Sequence, residues 1–211
     1  MFFIPLWNVL NTNTSETYQM NKMFGFENEC IDKYDKEIFS AFQSLFSTLP
    51  IAHVINKKVF VVHGGLCSSS IFINDLQNIN RFSDSIDSGP LCELLWSDPM
   101  DQNGLLPSPR GIAYSFGPDV TKQFLDKNGL TKLVRSHQVQ DNGYSITQNG
   151  QCITVFSAPN YVGTFMNKGA ILFMSFDQNG TLTKQSFETF SASAPNRDYP
   201  PMKYSIFRAS I

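Results

Sequence analysis

The chain reads as an α/β protein with helices first and antiparallel strands in its C-terminal half. Three observations predict this. From Ile31 the apolar residues recur as Tyr34, Ile38, Phe42, Leu45 and Leu49, steps of three and four that fall on one helical face until Pro50 ends it. The apolar runs Ile51–Ile55 and Val59–Val62 are of strand length and are separated by a tight polar link. Further on, Asn149-Gly150 sits between two alternating runs, which is a strong hairpin signal. Helices and strands of this kind must pack as layers to bury their apolar faces.

The remaining elements follow in order. Val59–Val62 ends at His63-Gly64-Gly65, and residues 66–116 read mostly as loop with short helices. Asp87-Ser88-Gly89-Pro90 is a break, Leu91–Trp96 makes two helical turns, and Ser97-Asp98-Pro99 stops them. Gly117-Pro118-Asp119 opens a helix that runs to Lys127, with proline at its start and an acid in its first turn. Asn128-Gly129 supplies a left-handed cap. Leu130–Arg135 is a buried strand ending at Ser136-His137. Tyr144–Gln148 and Gln151–Ser157 form one hairpin, Ala170–Phe176 and Thr181–Phe190 another, so that an antiparallel meander closes the chain. Pro195, Pro200 and Pro201 mark an extended tail.

With 211 residues, 42% of them hydrophobic, the chain can bury one sizeable core. A formal net charge of −2 argues against a nucleic-acid partner. Cys30, Cys67, Cys92 and Cys152 form no C-x-x-C pair and read as reduced packing thiols of an intracellular protein. The expected location is the cytoplasm, with the nucleus as a second compartment. Met1–Leu10 is apolar, lacks a basic leader, and is about half the length of a membrane span, so it reads as a strand or buried segment rather than a targeting signal, a weak export signal being the lesser alternative.

Three histidines occur. His53 lies inside an apolar strand and reads as structural. His63 and His137 each follow directly on the C-terminal end of a buried strand, the edge where layered α/β proteins gather ligands. Neutral imidazole is a good ligand for a divalent ion. Two histidines so distant in sequence leave ligation and packing both open. Arg110, before Gly111 in a polar loop, suits bidentate contact with a phosphate, a solvated surface arginine being the alternative. Tyr161, in the loop after a central strand, is either a packing group or a phenol at the same edge.

Read together, the strings Val62-His63-Gly64-Gly65-Leu66, Asp87-Ser88-Gly89-Pro90, Leu94-Leu95-Trp96-Ser97-Asp98-Pro99, Arg110-Gly111, Phe116-Gly117-Pro118-Asp119-Val120, Arg135-Ser136-His137 and Phe156-Ser157-Ala158-Pro159-Asn160-Tyr161 carry a resemblance. In this order and spacing the chain resembles the C-terminal part of the serine/threonine protein phosphatases of the two-metal phosphoprotein phosphatase family. Tyr18–Glu29, Phe116–Lys122 and Pro201–Tyr204 look closest to the family's type 5 branch. The resemblance implies a partial metallophosphoesterase-type layered sandwich. It gives residues 1–15 as a divergent segment, 16–203 as the C-terminal part of the catalytic domain and 204–211 as a tail. It implies that His63 and His137 are two ligands of one metal, that Arg110 holds the substrate phosphate, and that Tyr161 lies over phosphate and metals. Trp96 matches a residue near the substrate groove, with packing as its alternative role. In the family two divalent ions (manganese, iron or zinc) activate a water that hydrolyses phosphoserine or phosphothreonine in proteins. Phosphoproteins and regulatory proteins are the implied partners, and neither nucleic acid nor membrane is among them.

The chain also departs from the family's pattern. Its Asp-x-His and Asp-x-x-Asp-Arg strings have no counterpart, and where the family has Asn-His before a glutamate this chain has Thr14-Ser15 before Glu16. Ser15 therefore stands at the family's proton-donating histidine, and no catalytic acid is identified. At most one partial metal site is expected. Val162-Gly163 replaces the usual Cys-Asp, and Gln138 an acid. Two readings follow: a phosphatase represented by an incomplete chain, or a non-catalytic pseudophosphatase that binds phosphoproteins or regulatory partners. A structural domain with two packing histidines is the third.

Overall fold

The computed structural model describes residues 11–67, 72–82 and 86–194. The segment Met1–Leu10 and the tail from Pro195 onward, including 204–211, lie outside the described residues.

Helices come first: α1 (Tyr18–Met23), α2 (Phe26–Lys33) and α3 (Lys36–Thr48). The single helix expected from Ile31 to Leu49 is two. Asp35 interrupts it, taking extended backbone and capping α3 by accepting the Ile38 N–H at 2.9 Å. The face differs too. Tyr34, Ile38 and Leu45 are exposed, and Phe39 is the buried residue of α3. The Phe26 ring packs on Phe39, Phe42 and Phe46, which share one face by steps of three, four and seven.

A five-stranded sheet holds the centre. β1 (Ala52–Ile55) pairs antiparallel with β2 (Val59–Val62) across Asn56-Lys57, both at positive φ as a tight hairpin requires. β2 pairs in parallel with β6 (Lys132–Arg135), and β6 in parallel with β8 (Cys152–Val155). β7 (Tyr144–Thr147) closes the far edge antiparallel to β8. The C-terminal strands therefore do not form one meander: β6 and β8 enter the parallel centre, and only β9 (Gly169–Phe176) and β10 (Leu182–Phe190) stand apart as a hairpin. β2 is buried along its whole length, as a strand covered on both faces must be.

Alternation along β2 separates two cores. Phe60 and Val62 join Leu133, Cys152 and the helices α4 (Gly89–Trp96) and α5 (Pro118–Lys127), through Leu94, Leu95 and Leu125. Val59 and Val61 point the other way, onto Val134, Ile153, and Leu172 and Met174 of β9. The layers are thus helices, central sheet and outer hairpin. A small three-stranded sheet, β3 (Asp98–Pro99), β4 (Leu105–Pro107) and β5 (Tyr114–Phe116), orders part of the segment expected to be loop.

Gly64 explains how β2 meets α4. Its N–H donates to the Leu94 carbonyl at 2.9 Å, and a Cβ there would lie 2.4 Å from the Leu95 carbonyl carbon. Both atoms are backbone, so neither yields easily. Gly64→Ala is expected to cost about 1–3 kcal/mol through overpacking, measured as a lower midpoint in thermal unfolding. A midpoint at or above that of the parent chain would show that the two backbones can separate freely.

Candidate active site

The site lies at the C-terminal ends of β2 and β6, which are neighbours and parallel, so their final residues emerge side by side. His63 follows β2, and His137 follows β6 by one residue. The Ser136 N–H donates to the His63 carbonyl at 3.0 Å and pins the two loops together. His137 takes φ +66°, a left-handed backbone seldom adopted by such a residue and often found at sites of function. The result is convergence: His63 Nε2 and His137 Nδ1 are 3.1 Å apart. The Trp96 ring meets His137 edge-on at 5.4 Å, which gives it a packing contact at the site. His53, within β1, by contrast hydrogen-bonds the Asn11 side chain, in keeping with a structural residue.

Electrostatics favour neutral imidazoles here. Burial pushes the His63 pKa down to about 3, helped by His137 and Arg135 and opposed by Asp98. Burial, then Arg110 and Arg135, pushes His137 down to about 3. Neutral imidazole is the state in which histidine binds metal, and the two rings could each turn a lone pair to an ion in place of the hydrogen bond that now joins them.

Arg110 sits between β4 and β5, with about a third of its side chain exposed. Its Nε donates to Asp98 Oδ2 at 2.6 Å. Asp98 Oδ1 accepts a second bond, from Arg135 Nη2 at 2.7 Å. Asp98 and Arg135 are both buried and were missed in the sequence, where Asp98 served as a helix stop and Arg135 as a strand end. The available signal was a charge in otherwise apolar strings, Leu94–Trp96 and Leu133–Val134, beside the histidine. Gln138, the departure noted above, accepts from Arg135 Nη1 at 2.8 Å.

Tyr161 opens a turn after β8, held by its N–H donating to Asn167 Oδ1 at 2.8 Å. The residue is 44% exposed, and its ring meets Phe156 edge-on at 5.2 Å and Phe165 at 6.1 Å. Among the described residues it makes no ring contact or hydrogen bond with His63, His137 or Arg110. Val162 holds φ +49°, a strained setting for a β-branched residue. Ser15 lies exposed in a short 3-10 turn, Thr14–Glu16, its N–H donating to Asn13 Oδ1.

Two imidazole nitrogens 3.1 Å apart suit adjacent positions on one ion, with bonds of about 2.1 Å meeting at about 95°. Among the described residues no group of three or more His, Cys, Asp or Glu could hold a metal. These residues therefore fit a two-imidazole share of one ion and do not fit a two-ion centre.

The model of the calcineurin-like phosphoesterases matches residues 16–141, more than half of the chain. The chain belongs to the calcineurin-like phosphoesterase family. Within that family it is 50% identical over 198 residues to a serine/threonine-protein phosphatase T of Trypanosoma brucei brucei, covering 93% of this chain and 41% of that protein. It is 42% identical over 191 residues to the human serine/threonine-protein phosphatase 5, covering 90% of this chain and 37% of that protein. A solved phosphatase from Saccharomyces cerevisiae, described as similar to human phosphatase PP5, superposes with a TM-score of 0.80 at 39% identity, covering 89% of this chain and 61% of that one. These names agree with the type 5 likeness read from Tyr18–Glu29 and Phe116–Lys122. The chain spans about two fifths of the length of these two curated phosphoesterase relatives.

Proposed function

We propose that this cleft binds the phosphate of phosphoserine and phosphothreonine in proteins and serves the hydrolysis of that ester. The observation that supports it most is the imidazole pair at 3.1 Å with Arg110 held beside it on Asp98. Asp98 engages the Nε of Arg110, which leaves the two Nη groups for a bidentate hold on phosphoryl oxygens. His63 and His137, neutral and converging, would hold one divalent ion, with manganese, iron and zinc as candidates. Such an ion, when bound, supplies Lewis-acid polarisation of the phosphoryl oxygens and lowers the pKa of the attacking water. Tyr161, at the family's position, would cover the bound phosphate from the loop that Asn167 secures. The substrates are phosphoproteins, the partners regulatory proteins, and the compartment the cytoplasm, with the nucleus second.

A second reading is a domain that binds phosphoproteins without turning them over. Ser15 favours it, because an exposed hydroxyl stands where the family's acid protonates the leaving alkoxide, and serine is a poor acid at neutral pH.

Both readings need Arg110. Arg110→Ala is expected to weaken binding of a phosphoserine peptide by roughly 10–100-fold, the loss of charged hydrogen bonds to the phosphate. Calorimetric titration measures it. Unchanged affinity, with the parent chain binding measurably, would remove Arg110 from the phosphate site.

A further inference from the structure

We propose that Arg135 is a positioning residue for this site: it fixes Arg110 through Asp98 and ties the loops bearing His63 and His137 to the same anchor. The proposal rests on the reading that Arg110 binds phosphate.

Arg135 ends β6 two residues before His137, and its side chain is turned fully inward, with none of it exposed. A guanidinium taken out of water is costly unless its donors are matched. Here each match falls on a segment that carries the site. Nε donates to the Gly64 carbonyl at 2.5 Å, on the loop of His63. Nη1 donates to Gln138 Oε1 at 2.8 Å, beside His137. Nη2 donates to the Ser97 carbonyl at 3.2 Å and to Asp98 Oδ1 at 2.7 Å, just after Trp96. One planar group thus joins three loops that are distant in sequence.

The fourth connection gives the assembly its use. Asp98 offers its other oxygen to Arg110, a side chain with about a third of its surface in solvent. A long exposed arginine would otherwise lose rotamer freedom on meeting its ligand. Held by a buried carboxylate, which is itself held by Arg135, it is ordered beforehand. Two guanidinium charges share one carboxylate, so the group of three keeps one positive charge near the imidazoles, suited to an anion.

The test is a cycle of variants in the 211-residue chain, read by calorimetric binding of inorganic phosphate, with thermal unfolding recorded for each. Asp98→Asn and Arg135→Lys are each expected to weaken phosphate binding by roughly tenfold, about one charged hydrogen bond. In an Arg110→Ala background neither should weaken it further, because both act through Arg110. A merely structural role would lower the unfolding midpoint without this dependence on Arg110. Should Arg135→Lys fail to fold, Asp98→Asn with and without Arg110→Ala carries the same comparison. Folded Asp98→Asn and Arg135→Lys variants that bind phosphate as the parent does, while Arg110→Ala still weakens it, would overturn the positioning role alone. Arg110→Ala with unchanged phosphate binding would overturn the phosphate reading, and the positioning role with it.

Discussion

Residues 1–211, purified and supplied with manganese, are expected to hydrolyse a phosphoserine peptide at least about 10²-fold more slowly than human serine/threonine-protein phosphatase 5 assayed alongside, since loss of a positioned acid typically costs 10²–10⁴-fold. Two features of the chain lead to this. By the resemblance Ser15 is expected at the place of the family's proton donor; it is exposed in its turn, and a serine cannot match an imidazole as an acid near neutral pH. The described residues also supply only two converging imidazoles, with no group of three or more ligands. A two-ion phosphoryl transfer needs both attacking and leaving oxygens to be clamped. Phosphopeptide binding should survive, because Arg110 and Asp98 depend on neither feature. The outcome that would overturn this is a turnover within a few-fold of the human enzyme, retained after a Ser15→Ala change.

Arg135→Met should be the most destabilising single change in the site. The variant keeps most of the side-chain volume but leaves buried Asp98 with only the part-exposed Arg110 as a cation, and leaves the Gly64 and Ser97 carbonyls without their donor. Breaking a buried ion pair from one side costs about 3–5 kcal/mol. At about 2–4 °C per kcal/mol for a chain of this size, the thermal midpoint should fall by roughly 10 °C. Removing Asp98 together with its partner, as Asp98→Leu/Arg135→Met, should recover part of that loss, since no buried charge is then left alone. A single variant that unfolds with the parent chain would show that the interior pair carries little of the stability. Equal losses for the single and double variants would place the cost in packing rather than in the stranded charge.

Much of this architecture could be read from the sequence because it is local. Asn56-Lys57 and Asn149-Gly150 are turn chemistry, Gly117-Pro118-Asp119 is helix-start chemistry, and all three stand where such residues must. His63 and His137 were legible as candidates because each ends an apolar run, and parallel pairing of β2 with β6 then brings them together. That parallel pairing was not legible. A buried strand reads the same whichever way its neighbours run, so Leu130–Arg135 carries no sign of its parallel partners, and Gln151–Ser157 reads only as half of a hairpin. The helix expected from Ile31 failed for a different reason. Apolar spacing continued through Tyr34, but Asp35 capped a new helix, and the cap outweighed the period. Asp98 and Arg135 escaped because their partners are 12 and 37 residues away, and an ion pair across loops leaves no trace in spacing. The resemblance to phosphatases supplied roles for Arg110 and Tyr161 that composition alone could not. The structure gives Arg110 a defined partner in Asp98, whereas Tyr161 contacts Asn167 and Phe165 of its own loop.

We propose that the pairing of His63 and His137 at one metal ion, next to Arg110, underlies the site. It is tested most directly by nuclear magnetic resonance of imidazole-labelled protein during titration with manganese. The chain has three histidines, so each signal can be assigned by single His→Gln changes. Paramagnetic broadening should strike the His63 and His137 signals together and most strongly at low manganese, with His53, on the neighbouring strand opposite Val61, clearly less broadened. Broadening of all three alike, or of neither member of the pair, would contradict it.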